Sequence, residues 1–213
     1  AGDTLHVQAG TFTENLTVDK TLQIIGAGSG STILEAGNAV GINVTAGGTS
    51  AAEADRLLIS GMAINNEASM GIVIDGTVSY ITIEDVDVNV DGVKRTDYGL
   101  EVAATADVTD LLIDNSSFST NSEGAGMHVH GSVDGLSITD SHFDGNNIGF
   151  YAFQVDGSDT ILDNVNISDS SFNNNTYKGL YIEKLSNALL DNITVNNSGT
   201  LCGTADGLAG YEV

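Results

Sequence analysis

The chain has 213 residues, 41% of them hydrophobic, which is enough for one substantial core and too many for a disordered tail. It carries 29 acidic and 6 basic residues, a formal net charge of −23. Because phosphate binding requires clustered Lys and Arg, this balance excludes nucleic acid as a partner. The single cysteine excludes an intramolecular disulfide, and no apolar run is long enough for insertion into a membrane.

The first predicted strands lie within residues 1–26, where short apolar runs alternate with polar residues. The glycine-rich stretch at 26–32 predicts a turn, because it lacks the lysine of a phosphate-binding loop and a short strand follows it. Proline is absent from the whole chain. Its absence suits a protein made of hydrogen-bonded ladders, since proline cannot donate to a ladder.

From residue 41 onward the chain repeats a short unit, a glycine followed by alternating apolar residues, every 23 to 30 residues. Uneven spacing around one mean indicates strands in fixed positions that are joined by turns of varying length. The units begin at Gly41, Gly71, Gly99, Gly126, Gly149 and Gly179, and Gly207 begins a seventh.

A second strand follows in each repeat, and its alignment gives two apolar columns. Like residues stack on like, which is how a solenoid builds a core that no single coil could bury. The first column is Ile59, Ile83, Ile113, Ile138, Ile167 and Leu190, and the second is Ile64, Val88, Phe118, Phe143, Phe172 and Val195.

These repeats predict an all-β fold, a single-stranded right-handed parallel β-helix (solenoid) of about seven or eight coils. The period-two alternation and the short apolar runs disfavour helix throughout. We expect one domain over residues 1–213, truncated at one or both ends. The first residues already form a strand and the last ones begin a new coil, so further domains or other chains are expected to cover the ends of the solenoid.

The opening residues 1–15 and 20–26, with the repeated Ile-x-Asp-Ser-x-Phe and Gly-x-x-Val units, resemble pectate-lyase-like right-handed parallel β-helix proteins. This resemblance implies the architecture and leaves the activity open, because that superfamily holds lyases, hydrolases, esterases, epimerases and non-catalytic surface proteins. Residues 9–15 also resemble an early segment of pectin methylesterases. The later catalytic motifs of those enzymes are missing, so their activity is not implied.

A column of Asp and Asn residues falls at one turn of successive coils, at Asp85, Asn115, Asp140, Asp169 and Asn192. Asp and Asn tolerate turn geometry, so this column fits a structural ladder. Asp140 and Asp169 would nevertheless lie one rung apart, and Asp85 and Asp87 would project from one face of a strand. Carboxylates at this density are also what Ca²⁺ prefers, so a calcium site formed by these four residues is the alternative.

The other exposed column lies on the Gly-x-x-Val strands, where the second residue after glycine points outward. Aromatic side chains offer sugar rings an apolar platform, and His, Tyr and Glu are common proton-transfer groups. The candidate catalytic residues are Glu101, His128 and His130, and the candidate substrate-binding residues are Tyr151, Phe153, Tyr181 and Glu183. An inert solvated face is the alternative.

The expected function is a secreted or cell-surface domain that binds polysaccharide on this strand face. Two alternatives stay open: a lyase or epimerase acting on a uronate-containing glycan, and a non-catalytic adhesin or spacer. Lyase and epimerase reactions require neutralisation of the uronate carboxylate, and the face has few cations besides Lys178 and Lys184.

Overall fold

The computed structural model describes residues 2–66, 69–89, 97–119, 121, 123–153, 162–199 and 211–212. Within these ranges the regular structure is almost all β-strand, with one turn of 3-10 helix at Glu53–Asp55. The strands are β1 (Asp3–His6), β2 (Gly10–Phe12), β3 (Leu16–Val18), β4 (Leu22–Ile25), β5 (Thr32–Glu35), β6 (Ile42–Val44), β7 (Leu57–Asn65), β8 (Ile72–Ile74), β9 (Thr77–Val88), β10 (Leu100–Val102), β11 (Asp107–Asp114), β12 (Ser117–Phe118), β13 (Ala125–Val129), β14 (Ser132–Thr139), β15 (Ile148–Ala152), β16 (Leu162–Ser168), β17 (Lys178–Ile182), β18 (Leu185–Asp191) and β19 (Tyr211–Glu212).

Two parallel sheets run along the solenoid. In the described part of the chain, eight strands follow one another along the first sheet in the order β1-β4-β7-β9-β11-β14-β16-β18. The second sheet has the order β3-β6-β8-β10-β13-β15-β17-β19. Strands of successive coils are therefore hydrogen-bonded neighbours, which confirms the predicted all-β parallel β-helix and is close to the predicted number of coils.

The core includes the two predicted columns and the inward residues of the second sheet. Ile59, Ile83 and Ile113 pair in register on adjacent strands of the first sheet and are at most 1% exposed. In the second column, the Phe143 ring stacks between Phe118 at 5.3 Å and Phe172 at 5.2 Å, measured between ring centroids. Apolar residues of equal shape thus meet across rungs, and each coil completes the core of the next.

The predicted Asp and Asn column forms one corner of the coils. Asp85, Asn115, Asp140 and Asp169 all adopt left-handed backbone conformations, with φ of 53°, 44°, 48° and 51°. Asp and Asn tolerate this region better than other non-glycine residues do, which explains why they recur at the corner. The sequence predicts that Asp85 and Asp87 project from one face of a strand. Both lie in β9 and are half-buried, with the left-handed corner residue Asp85 two positions before Asp87.

A ladder of buried asparagines runs inside the next turn and was not foreseen from the sequence. The Asn89 Nδ2 atom donates to Asn121 Oδ1 at 2.8 Å, and Asn121 Nδ2 donates to Asn146 Oδ1 at 3.0 Å. The Asn146 backbone N–H donates to Asn175 Oδ1 at 2.9 Å. These amides satisfy buried polar groups of the turn, which would otherwise destabilise the fold.

The first coil leaves apolar side chains open to solvent. Leu5 is 50% exposed, and it lines an apolar groove together with Phe12, Leu16 and Leu34. The expectation that another domain or chain covers an end of the solenoid stays a prediction.

Candidate functional site

The predicted outward residues of the second sheet lie in register on consecutive strands. Glu101 of β10 pairs with His128 of β13, His128 pairs with Tyr151 of β15, and Tyr151 pairs with Tyr181 of β17. Because parallel pairing places equivalent residues one rung apart, these four side chains form a continuous row along the solenoid. The register expected for this row is confirmed.

The rings of this row contact one another. The centroids of His128 and Tyr151 are 5.0 Å apart, and those of Tyr151 and Tyr181 are 5.7 Å apart, with interplanar angles of 16° and 17°. Phe153 lies 6.1 Å from Tyr151 and 6.5 Å from Tyr181. Tyr98 adds a fifth ring, 4.3 Å from His128. We call Tyr98, His128, Tyr151, Phe153 and Tyr181 the aromatic row.

Glu101 and His128 are buried, although the sequence placed them on an exposed face. Glu101 is 9% exposed and His128 is 7% exposed. The burial has a local cause, since Tyr98 and Tyr151 pack against His128 and the His130 ring lies 5.4 Å from it. The exposed part of the site therefore lies further along the row, where Phe153 is 36% exposed.

The buried pair brings an acid and a base together. The His128 Nδ1 atom lies 3.5 Å from Glu101 Oε1, and this nitrogen makes no hydrogen bond. A protonated imidazole would interact favourably with the carboxylate at this distance. The Nδ1 atom thus lies beside the carboxylate, and the rings of Tyr98 and Tyr151 pack against the imidazole.

Two phenol groups of the row stay protonated at neutral pH. Burial raises the pKa of Tyr98 above its usual value, and the Glu101 carboxylate raises it further. Burial also raises the pKa of Tyr151, with a smaller contribution from the Glu183 carboxylate. Both hydroxyls are therefore hydrogen-bond donors over the physiological pH range.

Charged side chains gather at the Tyr181 end of the row. The Lys178 Nζ atom lies 3.8 Å from the centroid of the Tyr181 ring, which is close enough for a cation–π interaction. The Tyr181 hydroxyl donates to a carboxylate oxygen of Glu183. Tyr177 is 48% exposed beside Lys178. This end combines an accessible ring with a cation and a hydrogen-bond acceptor.

The carboxylates predicted to bind calcium do not form a cluster. Among the described residues, no group of three or more His, Cys, Asp or Glu side chains is arranged to hold a metal ion. The Asp169 Oδ1 atom instead accepts a hydrogen bond from Asn192 Nδ2 at 2.5 Å, and Asp85 Oδ1 accepts one from Asn115 Nδ2 at 3.4 Å. These contacts fit the structural-ladder alternative, and calcium binding by Asp85, Asp87, Asp140 and Asp169 stays a prediction.

A melting experiment tests the calcium prediction. If Ca²⁺ bridges Asp140 and Asp169, millimolar Ca²⁺ should raise the Tm through binding to the folded state, and the double variant Asp140→Asn/Asp169→Asn should abolish the rise. Identical melting curves in Ca²⁺ and in chelator would leave the column with its structural role alone.

Sequence reasoning missed Tyr98, whose ring lies closest to His128. Tyr98 lies in the bend that precedes β10, and alternation along a strand gives no direction to a side chain in a bend. The one feature of the sequence that could have indicated Tyr98 as a site residue is its position directly before Gly99 of the repeated unit. The same position is occupied by Lys178 in the coil of Gly179, where the cation lies beside Tyr181.

Comparison with known proteins transfers no function to this chain. No protein-family model matches the chain, and no curated protein resembles it in sequence. In structure, the chain is similar to the crystal structure of the pectin methylesterase from Aspergillus niger in a penultimately deglycosylated form, with a TM-score of 0.43 and 12% sequence identity over 94% of this chain and 80% of the other. Identity at this level does not transfer an activity, so the chain's own side chains have to indicate the function.

Proposed function

We propose that the second sheet binds a polysaccharide along the aromatic row. The observation that carries the proposal is the series of five rings, whose neighbouring centroids lie 4.3 to 6.5 Å apart across consecutive rungs. A linear polymer of rings matches such a linear array, because successive sugars can contact the accessible rings of successive coils, from Tyr151 and Phe153 to Tyr181. Aromatic surface combined with polar tips is typical of sites that take up amphipathic ligands.

The polar atoms of the row supply the hydrogen bonds that sugars require. The hydroxyls of Tyr98 and Tyr151 are donors, since phenols are protonated at neutral pH and burial raises the pKa of both further. The Glu183 carboxylate at the exposed end is an acceptor, and it already receives a hydrogen bond from Tyr181. His130, half-buried and next to His128, adds a titratable group. Donors and acceptors thus border the apolar rings, and sugar hydroxyls need both.

The charge of the site favours a neutral glycan over a uronate-containing one. Among the described residues, Asp97, Glu101 and Glu183 lie at or next to the row, and Lys178 and Lys184 are the cations beside it. The Lys178 ammonium faces the Tyr181 ring. With a formal net charge of −23 on the chain, a polyanion would meet long-range repulsion as well.

We propose that the protein acts outside the cell or at the cell surface, where a polysaccharide ligand would be met. Among the described residues, no helix is both long and apolar enough to cross a membrane.

The test is a polysaccharide screen by retardation in affinity gels. We expect a neutral polysaccharide to retard the protein, and Tyr151→Ala and Tyr181→Ala each to weaken binding by about tenfold, which corresponds to about 1.4 kcal/mol and is typical of a lost aromatic contact. Tyr80→Asn is the matched control, because Tyr80 lies on the first sheet with φ of 56°, a conformation that asparagine tolerates.

Two results of the screen would count against the proposal. Unchanged retardation of both tyrosine variants would show that the ligand binds elsewhere. The absence of any ligand in a broad set of neutral and acidic polysaccharides would favour the adhesin or spacer alternative, in which rigidity and length are the function.

A second candidate function is proton abstraction from a bound sugar by a lyase or epimerase. The observation that favours it is the buried pair of Glu101 and His128, with 3.5 Å between Oε1 and Nδ1. An oriented imidazole beside a carboxylate is a common general base. Eliminase activity would produce unsaturated sugars that absorb ultraviolet light, and it should disappear in His128→Ala while glycan binding through Tyr181 remains. Binding without any unsaturated product would eliminate the lyase.

A further inference from the structure

The first sheet carries a groove of about 470 Å³ on the outer surface of the solenoid. Its floor consists of outward side chains in register on four strands, namely Leu58, Thr82, Leu112 and Ser137. Leu58 and Leu112 alternate along this row with the hydroxyls of Thr82 and Ser137. The volume lies within the range of small-ligand sites, and the floor is rigid because it consists of ladder strands.

One wall of the groove is the short 3-10 segment Glu53–Asp55, which Arg56 fixes to the sheet. Arg56 is 4% exposed, and its guanidinium donates to Thr82 Oγ1 at 2.6 Å, to the Ile81 carbonyl at 2.8 Å and to Asp110 Oδ1 at 3.0 Å. The Gln23 Nε2 atom donates to the Glu53 carbonyl at 3.2 Å and supports the same segment. The wall is therefore built into the fold by a buried cation and does not depend on a mobile loop.

Three of the residues that line the groove are acidic. Glu84 and Asp114 are register partners on β9 and β11, and Glu53 belongs to the wall. The charge of Arg56 is neutralised by Asp110, at 3.0 Å in a partly buried contact. The groove thus presents two apolar side chains, three carboxylates and three hydroxyl groups. The hydroxyl groups belong to Thr82, Ser137 and Thr139.

We propose that this groove is a second binding site, independent of the aromatic row, for a short chain of cationic amino sugars. The apolar faces of the sugar rings would contact Leu58 and Leu112, and their hydroxyl groups would bond with the threonine and serine hydroxyls. Protonated amines would pair with Glu84, Asp114 and Glu53. Charge complementarity selects this ligand, because an anionic sugar would meet three carboxylates, while the charge of Arg56 is already paired with Asp110.

The test is calorimetric titration with a glucosamine hexamer, using the N-acetylglucosamine hexamer as the matched neutral probe and hexalysine as a probe of charge alone. We expect the glucosamine hexamer to bind at least about tenfold more tightly than either probe, a difference of about 1.4 kcal/mol. Affinity should fall as salt rises, since exposed charges are screened.

Variants of the groove, the corner and the second sheet show where the glucosamine hexamer binds. Glu84→Gln/Asp114→Asn should weaken binding of the glucosamine hexamer by at least about tenfold. The control Asp140→Asn/Asp169→Asn removes the same charge from the corner and should leave affinity unchanged, as should Tyr151→Ala/Tyr181→Ala on the second sheet. No binding of the glucosamine hexamer, equal binding of the neutral probe or of hexalysine to the Tyr151→Ala/Tyr181→Ala protein, or undiminished binding by Glu84→Gln/Asp114→Asn would each overturn this inference without affecting the proposal for the aromatic row.

Discussion

Replacing Phe143 by aspartate is expected to unfold the protein. Phe143 is 0% exposed and stacks between Phe118 and Phe172, so the substitution removes two ring contacts and leaves a cavity. Loss of a buried phenylalanine alone costs about 3 to 5 kcal/mol, and an unpaired carboxylate in its place adds a further penalty. A total of this size is comparable with the whole free energy of unfolding of most domains.

Thermal melting followed by circular dichroism measures this effect. Phe143→Leu is the matched control, because it keeps an apolar side chain in the column and should melt cooperatively at a moderately lower temperature. A Phe143→Asp protein that melts like the wild type would mean that Phe143 does not face the core, and the register of the solenoid would be wrong.

Asn146→Ala is expected to have the second-largest effect. The Asn146 Oδ1 atom accepts hydrogen bonds from both the backbone N–H and the side-chain amide of Asn121 at 3.0 Å, and its Nδ2 atom donates to the Phe118 carbonyl at 3.0 Å. Alanine removes all three bonds and leaves the partners buried. Since each unsatisfied buried group costs about 1 to 3 kcal/mol, we expect a loss of several kcal/mol.

Chemical denaturation of Asn146→Ala and Asn147→Ala side by side isolates this effect. Asn147 has the same side chain one residue further on, where its Nδ2 atom makes one partly exposed bond to the Glu123 carbonyl at 3.4 Å. The control should change the free energy of unfolding by less than about 0.5 kcal/mol. If both variants lost the same free energy of unfolding, the buried asparagine ladder would contribute no more to stability than an exposed asparagine does.

The fold could be predicted because the repeats encode it residue by residue. Ile59, Ile83 and Ile113 recur at one position of successive coils, and the same residues pair across strands in the structure. In a solenoid each coil contacts the next one, so residues that align in successive repeats are expected to contact each other. The row from Glu101 to Tyr181 could be read off in the same way.

Features that depend on turns and on burial could not be predicted. The phenylalanines of the second column are each followed, three residues later, by a buried asparagine, namely Asn121, Asn146 and Asn175. The sequence shows this spacing, but it does not show whether an asparagine in a turn points inward. Burial of His128 depends in part on Tyr98, which precedes β10 outside the regular strand alternation. The wall fixed by Arg56 depends on a contact with Asp110, 54 positions along the chain and outside the aligned repeats.

The most direct test of the central claim is an NMR titration of tyrosine-labelled protein with the neutral polysaccharide identified by retardation. The chain has six tyrosines and no tryptophan, so the ring signals can be assigned one by one. If the aromatic row binds the glycan, the signals of Tyr98, Tyr151 and Tyr181 shift together in a saturable manner, and that of Tyr80 on the first sheet stays in place. A titration that moves Tyr80 while the three row signals remain fixed would contradict the proposed site.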